Sequence, residues 1–241
     1  MHRRDMTDLV RLDKRVAALA GCSREQARRY IEGGWVTVDG AMVDRPHAMV
    51  DTQVVALAPG ARADPIEPAT MLLHKPADLD AAAAPTLVAP ATRSEADDPG
   101  VRTLSRHFHQ LSVLMPMDAE ASGLLVVSQD PRAIRRLTED RDRIEQEYVV
   151  EVAGDLAHAS LGRLAHGLRY RARSLPPCKV SWQNETKLRF AIKAVQTGQL
   201  RHMCDQVGLA VLSIRRIRIG RIPLGKLPAG QWRYLPPGEP F

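Results

Sequence analysis

Asp39-Gly40 lies between two short alternating runs in the string WVTVDGAMV, residues 35–43. An Asp-Gly pair tolerates the positive φ angles of a tight turn, so these residues specify a β-hairpin. The chain before it reads as two short helices. Leu12, Val16 and Leu19 recur at helical spacing, leaving Arg11, Lys14 and Arg15 toward solvent. Gly21 and Cys22 break that run. Ser23 then stands three residues before Gln26, the spacing of a capping box. The second helix turns Ala27, Tyr30 and Ile31 inward and Arg24 and Arg28 outward, and Gly33-Gly34 ends it. The result is a small α+β unit with arginines on a helix face. Arginine's rigid fork of donors suits phosphate, although the same pattern also describes an ordinary solvated helix.

Residues 59–69 are rich in proline and small side chains and read as a linker. Beyond it, residues 71–75 read as a strand running into a turn, and residues 77–100 as a long loop. Further strands are expected over 124–127, 148–152, 180–182, 188–192 and 210–219. Helical character is expected over 132–137 and 199–207, with a helix or irregular connection over 156–168. No solenoid repeat is present.

With 44% hydrophobic and 26% charged residues in 241, the chain is able to build a sizeable core and is not of the disordered class. No apolar run is long enough to span a bilayer. The opening MHRRDMTDLVRLD lacks a secretory pattern, so a cytoplasmic location is expected. Net charge is +6. Over residues 199–233 the basic side chains Arg201, Arg215, Arg216, Arg218, Arg221, Lys226 and Arg233 face a single acid, Asp205. That placement suggests a polyanion, with nucleic acid first and a solvated basic face as the alternative. Cys22, Cys178 and Cys204 are widely separated, and His107 and His109 have no Cys or Glu at ligand spacing. Neither a disulfide framework nor a metal site is expected, and no organic cofactor motif is present.

Asp118 sits in LMPMDAEASGLLVVSQD, just before the Ser-Gly entry to a buried strand. A carboxylate at such a strand end stands on rigid backbone and suits a nucleophile or general base, although composition alone favours an Asx-turn cap.

The words RLDKRVAALAGCSREQARRYIEGGWVTVDG, residues 11–40, resemble the S4 RNA-binding domain, and the likeness continues weakly to about residue 57. The rest resembles the S4-containing pseudouridine synthases that modify small- and large-subunit ribosomal RNA. MLLHKP (71–76) is similar to that family's opening strand with its Asn-Lys-Pro. MPMDAEASGLLVVSQD (115–130) is similar to Gly-Arg-Leu-Asp-x-x-Thr/Ser-x-Gly-Leu, IEQEYVVEVAG (144–154) to Lys-x-Tyr-x-Val, and residues 199–235 to the closing motif.

The resemblance implies an α+β protein. An S4-like RNA-binding domain (8–58) and a linker (59–69) would precede a catalytic domain (70–241) with a mixed, mainly antiparallel sheet and flanking helices. It implies isomerisation of a specific uridine, in 23S ribosomal RNA, to pseudouridine by a monomer that needs no cofactor or metal. Asp118 would be the catalytic aspartate, Tyr148 would pack on the uracil, Arg201 would pair with the aspartate, and Leu212 would add an apolar wall. Structured RNA would be bound by Arg11, Lys14, Arg15, Arg24, Arg28, Arg29, Lys75, Arg215, Arg216 and Arg218.

The chain also departs from the family pattern. His74 replaces asparagine, Pro116 an arginine, Gln146 a lysine and His202 an arginine. The run Arg-Glu-Gly-Lys-x-Arg-Gln appears as Lys193 through Gln199, KAVQTGQ. These changes remove positive charge and support an alternative reading, a catalytically impaired RNA-binding or ribosome-assembly protein on the same fold.

Overall fold

The structure, a computed structural model, describes residues 9–97, 100–154 and 159–241. The chain start, Asp98 and the first part of the 156–168 connection lie outside them. The chain divides into two compact units, one holding Met1–Pro68 with Arg102–His109 and the other Ala69–Val101 with Gln110–Phe241.

The smaller unit contains β1 (Val10–Arg11), α1 (Leu12–Ala20), α2 (Arg24–Glu32), β2 (Val36–Val38), β3 (Ala41–Met42), β4 (Met49–Val50) and β5 (Val55–Leu57). The capping box forms as expected: the Gln26 amide donates to Ser23 Oγ at 3.2 Å, and the Ser23 amide to Gln26 Oε1 at 3.1 Å. Asp39 and Gly40 both take positive φ, 51° and 81°, and close the β2–β3 hairpin. Leu12, Val16, Ala27, Ile31, Val36 and Val50 form the core, each Leu, Ile or Val side chain stabilising the unit by about 1.5–3 kcal/mol. Leu19 departs from the expected stripe: it is exposed, in the last turn of α1, which Gly21 caps.

The sequence reading left Arg102–His109 with the larger domain, yet this segment packs in the smaller unit. Ser105 donates from its amide and hydroxyl to Asp44, at 2.5 and 2.9 Å. Leu104 and His107 are buried there.

The larger unit contains β6 (Thr70–Lys75), β7 (Ser112–Leu114), β8 (Ser122–Ser128), α3 (Pro131–Glu139), β9 (Gln146–Ala153), α4 (Ala159–Ala165), β10 (Arg169–Tyr170), β11 (Arg173–Ser174), β12 (Lys179–Trp182), β13 (Lys187–Ile192), α5 (Gln199–Asp205), β14 (Ala210–Ile219), β15 (Ile222–Pro223) and β16 (Trp232–Tyr234). Its sheet runs β12-β13-β9-β14-β8-β6-β16, with β15 beside β14 and β7 beside β8. The β14–β8 pair is parallel and the other strand pairs are antiparallel, so the fold is the mixed, mainly antiparallel α+β class expected. Within the expected loop, residues 77–97 carry 3₁₀ turns at Ala81–Leu87 and Pro90–Thr92.

The central parallel junction depends on Gly123. Its φ is +111°, and a Cβ there would lie 2.2 Å from the Arg216 carbonyl oxygen, so a side chain would push β14 off β8. Two apolar clusters pack against the sheet, one with Val150, Phe190, Met203 and Leu209 and the other with Leu72, Leu124, Val126 and Ile219.

Candidate active site

Asp118 lies in the turn between β7 and β8, where the Ala121 amide donates to the Asp118 carbonyl at 3.1 Å. Two features shape this turn. Met115 takes a left-handed φ of 48° just before Pro116, a conformation that costs a non-glycine residue roughly 1–3 kcal/mol. The buried Lys75 ammonium donates to the carbonyls of Pro76 (2.9 Å), Leu79 (2.7 Å) and Ala119 (2.8 Å), tying the end of β6 to the residue after Asp118. Burial pulls the Lys75 ammonium below its ordinary pKa. Lys75 is therefore a brace within the protein, and the expectation that it meets RNA is corrected: its donors are already spent on backbone.

The Asp118 carboxylate makes no Asx turn. It accepts the Gly198 amide, at 2.9 Å to Oδ2 and 3.2 Å to Oδ1. Gly198 caps α5 with φ +75°, and a Cβ there would meet Tyr170 Oη at 2.9 Å. In the run that resembles Arg-Glu-Gly-Lys-x-Arg-Gln, Gly198 stands where the family has arginine, so a backbone donor meets the carboxylate from that position.

Arg201 does not bond Asp118. Its guanidinium pairs with Glu120 and donates to the Val211 carbonyl at 3.2 Å. Arg201 is near the middle of α5, while the Gly198 amide at the helix start already reaches the carboxylate. The expected Asp118–Arg201 contact is replaced by two separate ones. Both residues still line a cavity of about 280 Å³, together with Glu120, Ser213 and Leu212. Leu212 is 63% exposed and forms the outer lip of that cavity.

Asp118 also lines a larger cavity of about 580 Å³, shared with Pro116, Tyr148, Gln146, Leu200 and Ile214. Tyr148, on β9, is buried and donates its hydroxyl to Gln146 Oε1 at 2.8 Å. Behind it lies Arg216, 1% exposed. Arg216 donates to the Leu124 carbonyl (2.7 Å), to Gln146 Oε1 (3.0 Å) and to Tyr148 Oη (3.5 Å). Its Nη2 is buried without a hydrogen-bond partner. The period-2 alternation of β14 points Arg216 inward beside Ile214 and Arg215 outward. Arg216 is thus a brace for the phenol, which corrects its expected place on an RNA-binding surface.

The other cations divide between paired and open. Arg218 is held by Glu145 and Glu147 at 2.6 and 2.7 Å, so it too is spoken for. Arg215 is exposed. Arg11 and Arg24 both pair with the buried Asp13 carboxylate. Burial raises that carboxyl's pKa, but the hydrogen bonds from Arg11 and Arg24 outweigh it and leave it below its ordinary value. Arg28 pairs with Glu32 and Arg29 with Glu25, each one turn along α2. Lys14 and Arg15 are exposed, Arg15 donating to the Asp51 carbonyl at 3.1 Å.

Three cations at the larger cavity escaped the sequence reading: Arg141, Arg171 and Arg173. The string RYRAR at 169–173 was the available signal, a basic cluster bracketing the β10–β11 turn. Burial pushes the Cys204 thiol up to about 12 and the Cys178 thiol to about 11, which disfavours the thiolate of both near neutral pH. Among the described residues no group of His, Cys, Asp and Glu is arranged to hold a metal, and no helix is long and apolar enough to cross a membrane.

Known proteins are similar to this chain along nearly its whole length. The S4 domain family matches residues 10–55. The dual-specificity RNA pseudouridine synthase RluF of Escherichia coli is 25% identical over 95% of this chain and 77% of its own. The chain is similar along nearly its whole length to proteins named as ribosomal RNA pseudouridine synthases. Ribosomal large subunit pseudouridine synthase B of Bacillus subtilis is 25% identical over 96% of this chain and 94% of its own. Ribosomal small subunit pseudouridine synthase A of Salmonella typhimurium is 26% identical over 95% and 98%. A crystal structure of a pseudouridylate synthase shares the fold, with a TM-score of 0.59 at 20% identity over 94% of this chain and 96% of the other.

Proposed function

We propose that the protein is an RNA pseudouridine synthase that isomerises a uridine of ribosomal RNA, with Asp118 as the acting carboxylate. The observation that carries this reading is the cavity itself. A carboxylate oriented by the Gly198 amide stands in one space with the braced phenol of Tyr148 and the cations Arg141, Arg171 and Arg173.

In the reaction the N1–C1′ bond of uridine breaks and a C5–C1′ bond forms. The C5 hydrogen is lost and N1 gains one, so the base is an isomer of the starting one. The base must first leave its stack, at a cost of a few kcal/mol, and guanidinium contacts to the backbone offset that cost. Asp118 either attacks C1′ or removes the C2′ proton. Tyr148 and Ile214 supply walls against which the detached uracil turns. The large-subunit RNA of the 23S class is the substrate we favour, with the protein acting as a cytoplasmic monomer.

Incubation with unmodified 23S and 16S ribosomal RNA transcripts, followed by chemical mapping of pseudouridine, tests the proposal. Product is expected at a specific uridine, and Asp118→Ala should abolish it while RNA binding stays within about twofold. Binding without product in the wild-type protein would instead support the second reading, a non-catalytic RNA-binding protein. That reading draws on one observation: Arg201 is engaged by Glu120 and not by Asp118.

A further inference from the structure

We infer that Arg102–His109 is a built-in extension of the smaller unit's RNA-binding surface, completing a cationic groove for the sugar-phosphate backbone. The inference rests on the RNA reading above and adds to it a segment outside the S4 match, which ends at residue 55.

The segment is anchored at several points. Arg102 donates to the Gly34 carbonyl at 3.1 Å, and its guanidinium lies 3.6 Å from the centroid of the Trp35 ring, a cation–π contact. Gly34 has φ +69°, and a Cβ there would come within 2.8 Å of Leu104 Cδ2, so glycine makes room for the buried leucine. Asp44 receives the amide and hydroxyl of Ser105. These contacts fix the 3₁₀ turn Ser105–Phe108 beside the loop before β4.

Between them runs a groove of about 870 Å³. Arg28 lines it from α2, Arg45 and His47 from the loop before β4, and Arg106 and His109 from the added segment. Arg45, His47, Arg106 and His109 are exposed. The groove's acids are both engaged inside the unit, Glu32 by Arg28 at 2.8 Å and Asp44 by Ser105. With Arg28 balanced by Glu32, the guanidiniums of Arg45 and Arg106 and the imidazoles of His47 and His109 converge from two separate stretches of chain on one open groove, a surface suited to a phosphate backbone.

The test is binding of the full chain to an unmodified 23S ribosomal RNA transcript across a salt series. The exposed pair Arg106→Ala with His109→Ala should weaken binding about tenfold and reduce the log–log salt slope by about one. Asp44→Ala separates anchoring from charge counting. Removing a negative charge from the groove would tighten binding if charge alone mattered, whereas releasing Ser105 should weaken it. Wild-type-like binding by the double variant, or tighter binding by Asp44→Ala, overturns the inference. Product formation with unchanged binding in the double variant overturns it alone. Failure of the wild-type protein to bind RNA overturns it together with the function proposed above.

Discussion

In the smaller unit positive charge is paired locally and close to water: Arg28 with Glu32 and Arg29 with Glu25, each one helical turn apart. In the larger unit two cations behind the candidate site are buried and held by groups far away in sequence, Lys75 by Ala119 and Arg216 by Leu124 and Gln146. A surface pair lets either partner turn to a ligand with little change in stability. A buried cation answered by carbonyls and an amide has no such freedom and acts through the geometry it imposes. The same residue type is therefore left at the surface in one region and serves as a brace in the other.

The contrast is sharpest at Gly198, where a backbone amide does the holding. Gly198→Ala should lower pseudouridine formation about a hundredfold, because the φ of +75° strains an L-residue and the new methyl meets Tyr170 Oη. Initial rates on a ribosomal RNA transcript check this, and an unimpaired variant would show that the amide contact is dispensable. Arg216→Met, similar in length but uncharged, should reduce turnover about tenfold with KM little changed, as Tyr148 loses its brace. A rise in KM alone would return Arg216 to RNA binding.

His107 tests the smaller unit. Burial, with the Arg106 charge adding to it, holds its pKa below 6.5. The unfolded chain then binds more protons than the folded one. Stability should fall as pH drops below 6.5 and level off once the folded-state value is passed, with a slope of at most about 1.4 kcal/mol per pH unit. Thermal melts from pH 7.5 to 4.5 should show that His107→Leu flattens this dependence; an unchanged profile would assign it elsewhere. The smallest effect is expected for Arg201→Ala, a loss of a few-fold in rate with melting temperature unchanged, since its ion pair with Glu120 is largely solvated. A loss as deep as that of Asp118→Ala would mean that the guanidinium swings to the aspartate when RNA is bound.

The hairpin at Asp39-Gly40 and the capping box at Ser23 were legible in the sequence because each is a contract between neighbouring residues. Asp118 was legible as a candidate from its place at a strand entrance and from the surrounding motif. Its partner was not. The donor is a backbone amide, which carries no side-chain signature, and it lies 80 residues along the chain. The basic run over β14 was misleading for a related reason. Counting charge treats Arg215 and Arg216 alike, whereas strand alternation sends one to solvent and the other to the interior.

By itself, then, the sequence determined the helix pair, the hairpin and the α+β class, and it offered Asp118 as the candidate carboxylate, all from local propensity, spacing or resemblance. Only the tertiary structure decided that Gly198 rather than Arg201 meets the carboxylate, that Lys75 and Arg216 are interior braces, and that Arg102–His109 joins the smaller unit. Those outcomes depend on which distant groups can satisfy a buried charge or a free amide. That is fixed when the strands take their register, and no short stretch of chain encodes it.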